Sequence, residues 1–388
     1  MIKYLVPILL FPTLLSATPL SDWQSHMTQY GGSVCNYIKD TSQTFDDRLI
    51  STYYDGERVF YQMCDYLSNP LWCTCAQESE KVYRDGYVIP NNGALPGYWI
   101  MADGLAEDYT RNADAQSKSA YQMLMANGSF VNSSGWNDAN QPDWSYMRET
   151  AYALRLHIMA PRFGLTRNPA RITQLTQFLI GQLYQMYGSK TAPYRKPFMT
   201  GLAAEALIDY YEKINADGVV VVALMDSADY MWANLWVASA GAFRYTDDPI
   251  PEAQGGQGTS PSPDLNLLIA PMYEWLFKKT GQQKYRDEGD LIFAGGVANA
   301  YLGGGKQFDQ NYRWSFKYVE WRYGPASNTP TPFATITVPP SNTPTPTRTP
   351  NPTNTATATP VITPTRTPCG SAFVKKDVYC HIDRLEGK

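Results

Sequence analysis

The chain has 388 residues, 44% of them hydrophobic, and a formal net charge of -4. No basic run or stripe interrupts that mild acidity, which argues against nucleic acid and anionic membranes as partners. The apolar share suffices for a substantial core, and the 28 tyrosines and 10 tryptophans divide between core packing and platforms on which a sugar ring can stack.

Residues 1–17 have Lys3, the apolar run Tyr4 to Leu15 and then Ser16-Ala17, the three parts of a secretory signal peptide. The run is too short to span a bilayer, so the mature protein is expected to be exported: secreted, or held at the cell surface. In an exported chain the six cysteines read as disulfides. Cys35, Cys64, Cys73 and Cys75 allow three pairings, among which the sequence does not choose. Cys369 and Cys380 bracket a short loop and are expected to pair with each other. A zinc site at Cys73-Thr74-Cys75 has the wrong spacing and no nearby His, so neither a metal nor another cofactor is expected.

Residues 18–323 read as one helical domain. Asp22 to Lys39 is predicted helical without a partner of its own. Five pairs follow: Tyr53 to Leu67 with Leu71 to Tyr87, Pro96 to Tyr109 with Ala113 to Met125, Trp144 to Met159 with Pro169 to Tyr187, Phe198 to Glu212 with Val219 to Trp236, and Leu265 to Lys279 with Gln283 to Tyr301. The first shows the helical spacing plainly in Val59, Phe60, Met63 and Leu67. Tyr312 to Trp321 is a last helix with no partner after it, leaving the N-terminal helix free to complete a ring. Gly303-Gly304-Gly305 reads as a helix stop before it. The glycines of Gln254-Gly255-Gly256-Gln257-Gly258 form no phosphate-binding fingerprint and lie in the longest connection, as a lid or a plain surface loop. Asn127-Gly128-Ser129 and Asn132-Ser133-Ser134 match the N-glycosylation pattern.

Residues 324–368 change to Thr, Pro, Asn and Ser, a composition that stays disordered and extended. At about 3.1 Å per residue this stalk could hold the body more than about 100 Å from its attachment. Residues 369–388 are too few for a domain without help and read as a disulfide-closed cap or a truncated module.

Six helix openings share a phrase of aromatic with acidic or amide residues: Tyr53-Tyr54-Asp55, Pro96-Gly97-Tyr98-Trp99, Asp143-Trp144-Ser145-Tyr146, Lys196-Pro197-Phe198-Met199, Pro263-Asp264-Leu265-Asn266 and Gln310-Asn311-Tyr312-Arg313. They recur about every 45 to 65 residues. Six inner and six outer helices in this order, with phrases such as Phe198-Met199-Thr200-Gly201-Leu202-Ala203-Ala204-Glu205-Ala206-Leu207, resemble the six-hairpin glycosidase-like proteins over about Asp22 to Tyr323. The resemblance implies an all-α (α/α)6 toroid with a substrate cavity at the N-terminal ends of its inner helices. It names no reaction, because similar phrases serve different activities. Free backbone NH groups and the positive dipole end collect there too.

Placing each opening in a first turn brings Tyr54, Asp55, Tyr98, Trp99, Asp143, Trp144, Phe198, Asp264, Asn266, Asn311 and Tyr312 toward one rim. An aspartate at a helix start caps its own backbone; alternatively, two of them do acid and base work on a glycosidic bond. On that reading Asp143 beside Trp144 is the acid, because an indole desolvates a carboxyl, and Asp55 or Asp264 is the base. Asp103 is a reserve carboxylate one turn after Trp99. Tyr54, Tyr98, Trp99, Asp103, Trp144, Asn266, Asn311 and Tyr312 would bind an oligo- or polysaccharide. Arg148 and Glu149 read as a buried ion pair, Glu205 as a packing site with one polar partner, and His157 as a satisfied core histidine. Two alternatives stand beside the glycoside hydrolase. One is a polysaccharide lyase using Tyr54, Tyr98 or Tyr312 as base, with Asn266, Asn311 or Arg313 neutralising a uronate. The other is a non-catalytic glycan-binding or surface module on the stalk. A monomer is expected.

Overall fold

The structure is a computed structural model that describes residues 18–132 and 143–324. The signal sequence, the stalk, Cys369 and Cys380 lie outside these residues, as does Thr335 to Val338, the one segment with a hint of strand. The described residues are mostly helical, with thirteen α-helices. In chain order these are α1 Pro19–Lys39, α2 Phe45–Ile50, α3 Gly56–Leu67, α4 Pro70–Glu80, α5 Asp103–Asn112, α6 Ala115–Asn127, α7 Met147–Met159, α8 Pro169–Leu183, α9 Pro197–Lys213, α10 Gly218–Leu235, α11 Asn266–Thr280, α12 Gln283–Asn299 and α13 Gly305–Tyr323.

Local chemistry sets most boundaries. Asn69 and Asn168 each accept a backbone NH of the helix they precede, and each is followed by a proline at the first helical position, where a missing NH costs nothing. Helices α4 and α8 run on into π-helical turns, Lys81–Val88 and Tyr184–Gly188, which together fill the lengths expected of those two partners. The opening at Pro96 behaves differently: Gly97–Trp99 is a separate 3-10 turn, and α5 starts only at Asp103. The Tyr83 hydroxyl holds this segment out of the helix by donating to the Trp99 carbonyl at 2.5 Å and accepting from Met101 N at 3.0 Å.

Two kinds of helix result. In α9 every residue from Pro197 to Ile208 is buried, and α11 is buried from Asn266 to Leu276, as expected of helices covered on all sides. By contrast α10 buries one stripe, Val220, Leu224, Ser227, Ala228, Met231 and Leu235. The first kind pack on one another, α7 on α9, α9 on α11, and α11 on α13, which returns to pack on α3. Helix α3 also packs on α5, and α1 lies against α12, α13 and α4. At Gly201 a Cβ would sit 2.5 Å from the Leu268 carbonyl oxygen, so only glycine lets α9 and α11 approach this closely. The long connection after α10 carries a two-stranded sheet, β1 Trp236–Val237 antiparallel to β2 Ala242–Phe243.

Cys35 pairs with Cys75, tying α1 to α4, and Cys64 pairs with Cys73, tying α3 to α4. Among the described residues no helix is long and apolar enough to cross a membrane. Both findings are compatible with export.

Candidate functional site

Tyr54 and Asp55 precede α3 with φ of 72° and 70°, a left-handed conformation that costs non-glycine residues energy. The strain turns the Asp55 carboxylate back over the start of the helix, where it accepts from Arg58 N at 3.3 Å. It also accepts from Asp103 N at 3.0 Å and Gly104 N at 3.2 Å, so the N-cap of α3 anchors the entry to α5. Burial, and then the charge of Asp103, push the Asp55 carboxyl up to about 6, against the pull of Arg313, Arg58 and the Arg58 NH. Asp103 goes the other way. Burial opposes its ionisation, but Arg155, Arg58 and Arg313 hold it well below the usual carboxylate range.

These residues border a buried charge cage. Arg155 meets Asp103 at 2.5 Å and Asp209 at 2.7 Å. Glu205 accepts from Arg58 at 2.6 Å and Arg313 at 3.0 Å, and lies 3.0 Å from Arg155. Three guanidiniums thus face three carboxylates across α3, α5, α7, α9 and α13. Two further carboxyls flank α3. Glu57 and Asp309 are buried with no hydrogen-bond partner on either oxygen, and burial pushes both well above the usual carboxylate range. A Cβ on Gly56 would fall 2.5 Å from an Asp309 oxygen, so any larger residue there would have to displace that carboxyl.

Beside Tyr54 the rings gather. Tyr53 stacks edge-on with Tyr54 and Trp99, both at 4.7 Å between centroids. Arg148 lies over the Tyr98 ring at 5.1 Å and donates to the Tyr53 hydroxyl at 3.4 Å. Tyr98 and Trp99 are partly exposed. Trp144 packs on Tyr194 at 4.8 Å, and Phe198 on Tyr245 at 5.8 Å.

The expected rim assembles only in part. Tyr54, Asp55, Tyr98, Trp99 and Asp103 come together. Asp143 is exposed and spends its carboxylate on Ser145 N at 2.8 Å, while the Trp144 indole turns to Tyr194. Asp264 accepts from Tyr301 N at 2.7 Å, and burial raises its pKa. Three residues expected to bind substrate have their side chains turned to structural bonds. Asn266 is fully buried and fastens the Gly241 and Ile292 carbonyls at 2.7 and 3.0 Å. Tyr312 is buried with its hydroxyl on the Trp23 carbonyl at 2.8 Å. Asn311 is buried and donates to Gln307 of its own helix at 2.8 Å. For Tyr312 and Asn311 the cause is register: α13 begins at Gly305, so Gln310 to Arg313 fall in its second and third turns, not its first. The last of the three glycines opens that helix against Ser51 instead of stopping a previous one.

Glu205 is likewise corrected from one polar partner to three. Arg148 and Glu149 do pair, at 2.9 Å. His157 is buried with Nε2 on the Val131 carbonyl at 3.0 Å, although its Nδ1 has no partner. Arg58, Arg155, Asp209, Glu57 and Asp309 were not expected at the site. The available signal was a charge inside an apolar run, as in Leu154-Arg155-Leu156, which must find a partner when buried.

For a metal, the described residues bring Glu80, Asp108 and Asp114 within 4.8 Å of one another. The Arg84 guanidinium already sits among them, against Glu80 and 3.7 and 3.4 Å from Asp108 and Asp114, in the place a cation would take. No family model and no curated protein matches the chain.

Proposed function

We propose that the protein is a secreted carbohydrate-active enzyme, a glycoside hydrolase on a six-hairpin (α/α)6 toroid. Ring closure is supported by the return of α13 onto α3, with α1 beside α13 in the place of the missing outer helix. The observation that carries the reaction is the pair Asp55 and Asp103. Two adjoining carboxyls have pKa values driven apart, one to about 6 and the other far down, the division of labour that acid–base cleavage of a glycoside needs. Asp55 is the acid, held in place by a strained backbone. Asp103 is the ionised partner, and Tyr98 and Trp99 are the platform for a sugar ring.

Asp143 and Asp264, and Asp55 as well, favour a second reading, a glycan-binding module, because all three spend their carboxylates on backbone NH groups. A lyase is less well served, since burial pushes Tyr54 well above the ordinary tyrosine range and away from a basic role. The test is a panel of neutral and uronic polysaccharides scored for reducing ends and for absorbance of unsaturated products. Hydrolysis predicts reducing ends alone, and Asp55→Asn should lower the rate by about 100-fold or more while keeping glycan affinity. Glycan retention without any product would move the protein to the binding reading. Neither product nor retention would remove both.

A further inference from the structure

A cavity of about 180 Å³ opens beyond the charge cage, at the C-terminal turn of α7. Its charged lining is Asp103, Arg155, Arg162, Arg167, Asp209 and Lys213. The cations are not fully compensated. Arg58, Arg155 and Arg313 balance Asp103, Glu205 and Asp209 within the cage, and Arg162 has Glu107 at 3.0 Å. Lys213 reaches Asp209 at 2.7 Å, but that carboxylate already serves Arg155. Arg167 has no carboxylate at all among the described residues: its Nε donates to the Ile158 carbonyl at 2.9 Å. That bond fixes the base of the guanidinium and leaves its two terminal amino groups without a partner. The Arg155 Nε is also buried and unpartnered.

We infer that this cavity binds a small oxyanion, a carboxylate or phosphate group. Arg167 grips it with its two terminal amino groups, the fork geometry that suits such groups, and Lys213 supplies a second charge at the mouth. The volume limits the ligand to about one sugar acid or a free phosphate. The cavity shares Asp103 with the proposed glycan site, but the inference does not need the protein to be an enzyme.

Calorimetric titration of the full chain with inorganic phosphate, D-glucuronate and D-glucose tests it, with Arg167→Ala and Lys213→Ala measured in parallel. Arg167 and Lys213 both reach the surface, so the variants should melt like the parent. Binding of phosphate or glucuronate, none of glucose, and at least a tenfold loss in Arg167→Ala are expected, since a charge-assisted hydrogen bond is worth about that much. Whether phosphate or glucuronate binds tighter identifies the source of the oxyanion. If neither binds at about 10 mM, or if Arg167→Ala binds as tightly as the parent, the site does not exist.

Discussion

In Glu205→Gln the carboxylate shared by three arginines becomes a neutral amide of nearly the same size. Burial opposes the charge of Glu205, yet Arg155, Arg313 and Arg58 together lower its pKa from 4.5 to about 2. A carboxylate with a depressed folded-state pKa lends stability that is fully present above its unfolded pKa and is lost as pH falls toward the folded value. Over that interval the contribution is about 3 kcal/mol, the size expected when a buried ion network loses one partner. The variant should therefore lose about 3 kcal/mol at pH 7, or roughly 6–12 °C in melting temperature. At pH 3 most of the parent's advantage has been titrated away, and the gap should shrink to about 1 kcal/mol. Urea denaturation of both proteins at the two pH values measures this. A variant within about 0.5 kcal/mol of the parent at pH 7, or a gap that does not change with pH, would refute the view that the cage depends on the charge of Glu205.

Gly201→Ala should cost more than the usual surface substitution, about 1–3 kcal/mol by denaturation, because the new methyl meets the Leu268 backbone and not a movable side chain; an unchanged midpoint would show that α9 and α11 can separate freely. Glu288 is raised to about 7, by burial and then by Asp229, against Lys284. A raised carboxyl favours the folded state at low pH and loses that advantage as pH rises through the folded value. Glu288→Gln should therefore flatten the fall in melting temperature between about pH 5 and 8, and parallel pH curves for the two proteins would contradict this.

The helices were legible because their signals are local. Apolar residues at helical spacing, Asn-Pro starts and left-handed stops such as Gly281 place most elements within a few residues, whereas α2 has no such signal and α5 and α13 start seven residues from Pro96 and Tyr312. What sequence reading missed depends on contacts between distant segments. The aromatic and amide phrase at Gln310 to Arg313 looks like the other openings, and only packing of Gly305 against Ser51 shows that α13 has already begun. Asp55 was singled out correctly as a residue at a helix start, but its tie to Asp103 and Gly104 needs a second segment brought alongside. The cage is the extreme case, since Arg58, Arg155, Glu205 and Arg313 stand on four helices with no periodic relation between them. The cysteine pairs fall in the same class: Cys64 is bonded to Cys73 and Cys35 to Cys75 by the way α3 and α1 meet α4, which spacing does not encode.

The contact between Trp23 and the last helix bears on how the chain is made. The Trp23 indole donates to the Ser315 hydroxyl at 3.1 Å across 292 positions, and Tyr312 returns a bond to the Trp23 carbonyl. The first helix to emerge during synthesis thus waits for the last before its buried indole is satisfied. Until α13 arrives, the parts of α1, α3 and α11 that pack against it have no cover, so a nascent chain exposes adhesive surface there for most of its synthesis. The Cys35–Cys75 bond closes within the first quarter of the chain. It can pin α1 against α4 early, preserving the seat that α13 will take.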